Sequence, residues 1–261
     1  MAGPPESTGD ENLVRRDHAG GAGADTLTVR ADGNVAALPV VYMSGVESLA
    51  LTAGGTVAID TTSTLITDLV NVAATGIGAS TVAASAAQNV NLTVNSAAAA
   101  THGVQGGKDV TVVANAVTAA GVINVGTTTA AKGAVVVTAN ELATNTTGTA
   151  DAINVTGGKS QVITANLTGA VNNTITGGVI TATGSADTTS ISVTQTKAAT
   201  AAAAVSGVVN GAVTIADVNA GTATTDVITT VALNSYGNST IDSTVLTNLT
   251  LGGSGGTLGI N

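Results

Sequence analysis

Residues 121–167 read GVINVGTTTAAKGAVVVTANELATNTTGTADAINVTGGKSQVITANL and hold four short runs in which apolar residues alternate with Thr, Asn, Ser or Gln. These are Gly121–Gly126, Gly133–Asn140, Asp151–Thr156 and Ser160–Leu167. Alternation with a period of two predicts half-buried strands, and the Gly, Asn and Asp that close each run predict tight corners. The same texture extends upstream through Ala24–Arg30, Val46–Thr52, Asn89–Val94 and Asp109–Val113. Downstream it continues through Gly178–Thr183, Thr189–Thr196, Gly211–Val218, Asp226–Leu233, Asn238–Ser243 and Asn248–Gly252. A strand begins about every 10–12 residues, the spacing of a β-sandwich or of a solenoid with two or three strands per coil.

Composition separates these two. Hydrophobic residues make up 44% of the chain, yet Phe, Trp and Cys are absent and Tyr42 and Tyr236 are the only aromatics. A sandwich holds its sheets about 10 Å apart and fills the gap with bulky side chains. Ala, Val and Thr underfill such a gap, whereas a solenoid stacks coils at about 4.8 Å around a narrow core. Proline occurs only at Pro4, Pro5 and Pro39, so a continuous backbone ladder is permitted. Ile123-Asn124-Val125-Gly126 returns as Ile153-Asn154-Val155-Thr156-Gly157, and Gly106-Gly107-Lys108 as Gly157-Gly158-Lys159, although these loose echoes do not define a coil register. Ala97–Ala100 and Ala198–Ala204 are too short for independent helices and are expected in extended or corner packing. The expected fold is an all-β, elongated parallel β-helix or β-solenoid over residues 20–261. Residues 1–19, with two prolines and charges of both signs, read as a flexible leader.

With 7 basic and 16 acidic residues, the chain carries a formal net charge of −9, which disfavours nucleic acid as a partner. Carboxylates without thiolates favour calcium or another hard cation over zinc. No basic region followed by an apolar run marks a cleavable signal peptide, and no apolar stretch is long enough to predict a membrane-spanning helix. The acidic residues are scattered singly, without aromatic sugar platforms, and His102 has no evident partner, so an enzyme is not expected. Lys108, Lys132, Lys159 and Lys197 are expected to keep strands soluble, and the two tyrosines to be partly exposed packing residues. Thr26/Thr28, Thr174/Thr176, Thr181/Thr183 and Thr194/Thr196 form Thr-x-Thr pairs of the kind that orders water on ice-binding solenoids, at irregular spacing.

One motif carries chemistry. Gly20-Gly21-Ala22-Gly23-Ala24-Asp25-Thr26-Leu27-Thr28 matches the nonapeptide G-G-x-G-x-D-x-U-x at every specified position. The carbonyls of Gly20, Gly21 and Gly23 and the carboxylate of Asp25 are candidate calcium ligands, with Leu27 turning inward to begin a strand. Asp17, Asp32 or a neighbouring segment is expected to complete the shell, because one such turn supplies only part of it.

From this motif onward the chain resembles the RTX-type surface-layer (S-layer) proteins of Caulobacter and its relatives. The segments that carry the resemblance are Gly20–Leu27, Ser44–Leu49, Val193–Ala204, Val209–Ile215 and Leu258–Ile260. The resemblance implies a right-handed parallel β-solenoid and calcium-dependent self-assembly into a two-dimensional hexagonal lattice on the cell surface. It also implies export through a type I system with an uncleaved C-terminal signal. Lipopolysaccharide would be gripped only by a domain outside this chain. A solenoid adhesin or fibre, trimeric instead of planar, and an ice-binding solenoid are the alternatives.

Overall fold

The computed structural model describes residues 18–19, 21–38, 42–96, 99–117, 120–143, 147–169, 174–199, 208–218 and 226–261. These residues form an all-β structure whose strands pair in parallel throughout. The larger sheet has ten strands in chain order, from Thr26–Ala31 and Ser48–Ala53 through Val110–Val117, Ala134–Ala143 and Ser160–Gly169 to Thr230–Tyr236 and Asn248–Gly255. A nine-stranded sheet runs in the same spatial order from Val57–Asp60 to Leu258–Ile260. Each coil thus contributes one strand to each wall, which is a parallel β-solenoid.

Two inward columns of the larger sheet are apolar, the first except for Gln161. One runs Leu27, Leu49, Val72, Val90, Val110, Val135, Gln161, Ile191, Val231, Leu249. The other includes Leu92, Val112, Val137, Ile163, Val193 and Leu233. Branched aliphatic side chains stacked one per coil fill a narrow core without aromatic rings, and nearly all are buried. Rungs of the first column are separated by 22, 23, 18, 20, 25, 26, 30, 40 and 18 residues in turn. This variation hides the register in the sequence although it is constant in space.

The longer coils carry extra structure. Thr147–Thr149, Thr174–Thr176 and Val208–Val209 form a third parallel sheet. It has its own small core of Ala150, Leu167 and Ile175. Both sequence echoes have structural causes. Ile123 and Ile153 are paired neighbours on adjacent coils. Gly106-Gly107 and Gly157-Gly158 are turn pairs with φ of 74°, 87°, 83° and 82°, a conformation open to glycine at little cost.

Several short strands lack the β-branched alternation and are not evident from sequence: Asn71–Ile77, Ser80–Ala84 and Thr101–Gly106, while Val57–Asp60 alternates but is only four residues long. Ala198 and Ala199 end the strand Ser190–Ala199, in line with an extended reading. The remainder of that alanine run, 200–204, and residues 97–98 lie outside the described residues. Residues 1–17 of the proposed leader do too, while His18–Ala19 pair in parallel with Met43–Ser44. Tyr236 departs from expectation: it is buried at 8% exposure in the main core, whereas Tyr42 is half exposed.

Candidate metal centre and buried polar corner

The glycine-rich turn leads directly into the first strand of the larger sheet, Thr26–Ala31. Gly23 has φ of +134°, and this backbone conformation alone favours glycine there, because an added Cβ would meet only open space. The Asp25 carbonyl accepts hydrogen bonds from the Glu47 and Ser48 amides at 3.2 and 3.1 Å. In return the Asp25 amide donates to Glu47 Oε2 at 2.7 Å. Asp25 Oδ2 is shielded from solvent and has no hydrogen-bond partner. Glu47 on the next coil thus reaches the Asp25 backbone, while Asp25 Oδ2 is left without a partner.

Of the six candidate ligands, Gly21, Gly23 and Asp25 share this turn, while Gly20 and Asp17 lie outside the described residues. Asp32 does not join them. It follows the opposite end of the strand Thr26–Ala31, about 20 Å from Asp25 at the usual rise per residue. The sequence search missed Glu47, whose signal was an acidic residue two places before an inward leucine, Asp25/Leu27 and again Glu47/Leu49. Among the described residues, no three of His, Asp or Glu are arranged to hold a metal ion.

Other corner carboxylates answer for backbone groups where the ladder lapses. Asp109 Oδ1 accepts the Ala134 amide at 2.8 Å, Asp151 Oδ1 the Gly121 amide at 2.8 Å, and Asp68 Oδ2 the Gly45 amide at 2.8 Å. Asp217 accepts the Val227 and Ile228 amides and the Ser243 hydroxyl while buried. A buried amide without a partner is costly, so the use of Asp151 and Asp217 is structural. The bond from the Gly45 amide, with the Thr67 hydroxyl, holds the Asp68 carboxyl below its ordinary range, and the Thr244 hydroxyl and amide do the same for Asp226.

A second group of titratable side chains lies inside the wall. His102 is 1% exposed, Glu141 2% and Asp151 4%. His102 occupies an inward position paired with Ile123, and Glu141 falls between Ala116 and Leu167 in the fourth position of its strand column. Neither oxygen of Glu141 has a hydrogen-bond partner, nor does His102 Nδ1. Burial, with the Asp151 charge adding to it, pushes the Glu141 carboxyl up to about 8 against a smaller opposing pull from the Asp151 backbone amide, which approaches without making a well-formed hydrogen bond. Burial likewise raises Asp151, offset in part by the Gly121 amide and the nearby His102. It lowers His102 against the opposing pull of Asp151.

Lys108, Lys132 and Lys159 sit in the turns that precede strands of the larger sheet, and Lys197 lies exposed near the end of Ser190–Ala199. The contact of Lys108 with Asp109 at 3.9 Å joins two exposed groups and contributes little to stability. No helix among the described residues is long and apolar enough to cross a membrane. The fold class is therefore a parallel β-solenoid whose charged residues lie mostly at its corners, with one buried polar group inside the wall. Comparison with protein-family models and with curated protein sequences gives no match.

Proposed function

We propose that this chain is a structural segment of a secreted bacterial surface layer, a solenoid that assembles with calcium into a two-dimensional coat of its own copies. The observation that carries the reading is the open Asp25 Oδ2 in a GGxGxD turn at the head of a long parallel solenoid, with Glu47 beside it on the next coil. Calcium takes six to eight oxygen ligands. Asp25, Glu47 and the carbonyls of the glycine turn supply oxygens of the right hardness, and Asp17 and Gly20 are close in sequence to complete the shell. Hexagonal symmetry, type I export, and attachment to lipopolysaccharide through a domain outside this chain belong to the same reading, by resemblance.

Electron microscopy of the chain with calcium and with a chelator tests it. Ordered sheets that form only with calcium, and are lost in Asp25→Asn, are the expected result. A calcium-indifferent monomer in sedimentation overturns the reading, and isolated trimeric rods favour a fibre.

An ice-binding reading draws support from one specific feature. Thr52, Thr75 and Thr93, then Thr138, Thr164 and Thr194, align in one outward column of the larger sheet, interrupted by Val113. Of the Thr-x-Thr pairs singled out from sequence, Thr26/Thr28 and Thr194/Thr196 share the larger sheet but lie in different columns, and the other two lie on other sheets.

A further inference from the structure

The outer face of the ten-stranded sheet is unusual for a chain of net charge −9. Its outward columns consist mainly of Thr, Asn, Ser, Ala and Val, with Ile77 and Leu142, and Arg30 on the first strand is their one charged member among the described residues. Asp25, Glu47, Asp68, Asp109 and Asp226 all lie at corners. Two copies meeting at a corner bring carboxylates together, while two copies meeting through this wall do not.

The polar groups on the face are already largely committed to one another. Asn115 donates to Asn95 at 3.0 Å, Asn140 to Asn115 at 2.8 Å and Asn166 to Asn140 at 2.8 Å, and the Thr196 hydroxyl donates to Asn166 at 2.7 Å. Internally bonded side chains lose less hydration when covered. Val162 and Ile77, 42% and 51% exposed, add apolar area on the same face. Ten strands at about 4.8 Å and five residues' width at about 3.3 Å give a surface of roughly 700 Å². That is close to the roughly 800 Å² per partner of a stable interface. Another wall with the same interstrand repeat matches its rows of side chains along the whole length, and a second copy supplies one.

We infer that this outer face is the surface on which a second copy of the chain docks, wall against wall. The inference rests on the coat reading only in taking the partner to be a second copy, and the contact itself needs no calcium. Sedimentation velocity in chelator, over a range of concentrations, tests it with the full chain. The wild type is expected to dimerise, and Thr138→Glu/Thr164→Glu, at the centre of the face, to associate at least about a hundredfold more weakly. Asn154→Glu, on the outer face of the other sheet, is expected to leave association unchanged. Circular dichroism verifies that each variant folds, and Thr75→Glu provides an independent test on another coil if the double variant does not.

A monomeric wild type, or a wall-charged variant that folds and dimerises normally, overturns the inference. So does a monomer that shapes ice crystals, which assigns the face to ordered water. Adding calcium separates this inference from the coat reading. Sheets formed equally well by the wall-charged variant defeat wall docking alone, whereas wall-dependent dimers that never form sheets defeat the coat alone.

Discussion

Two inward columns of the same sheet make opposite use of burial. The column through Val137, Ile163 and Val193 places branched aliphatic groups in contact coil upon coil, so each buried atom meets another like it. The column through Ala116, Glu141 and Leu167 interrupts the aliphatics with a carboxyl whose two oxygens have no partner. Both sites are closed to water, but only the first gains from it. At Glu141 burial is therefore set by the wall's geometry, and it falls on a carboxyl that the register brings inward.

Shortening the aliphatic column breaks the comparison most severely. Ile163→Ala leaves a cavity between Val137 and Val193 that stacked coils cannot readily close, and is expected to cost about 2–5 kcal/mol in urea denaturation.

Extending the aliphatic pattern to the polar column sharpens it with the opposite sign. Glu141→Leu continues the leucine at 167 and removes two unpartnered oxygens, for an expected gain of about 1–3 kcal/mol. That gain depends on pH. A carboxyl raised from its ordinary 4.5 to about 8 holds its proton more tightly in the folded chain. Its contribution is complete below about 4.5 and is lost as pH climbs through about 8. The difference between Glu141→Leu and wild type should therefore widen from pH 5 to pH 9, as followed by denaturation midpoints. His102, lowered by burial, acts on the other side, losing stability as acidification charges it. The smallest effect belongs to the outer wall: Asn140→Ala breaks one exposed and one part-buried amide contact and is expected to cost about 1 kcal/mol or less by thermal melting.

The strand-and-corner pattern was legible wherever β-branched residues alternate with Thr or Asn, as in Ala134–Ala143 and Ser160–Gly169. It was not legible in Ser80–Ala84 or Thr101–Gly106, where Ala and Gly carry no period and only the pairing of neighbouring coils makes a strand. The turn through Gly21, Gly23 and Asp25 could be read from its motif. Glu47, 22 residues away from Asp25, could not, because nothing local ties the two together.

By itself the sequence determined a narrow, strand-stacked core with an uncharged texture, because those properties follow from side-chain size, β-branching and the near absence of aromatics. Only the tertiary structure decided the register: coils of 18 to 40 residues come into step through their backbone ladders. That register stacks Asn95, Asn115, Asn140 and Asn166 into one hydrogen-bonded row and turns Glu141 inward. The physical reason is that hydrogen bonding between coils is set by the walls, while the corners absorb insertions of any length.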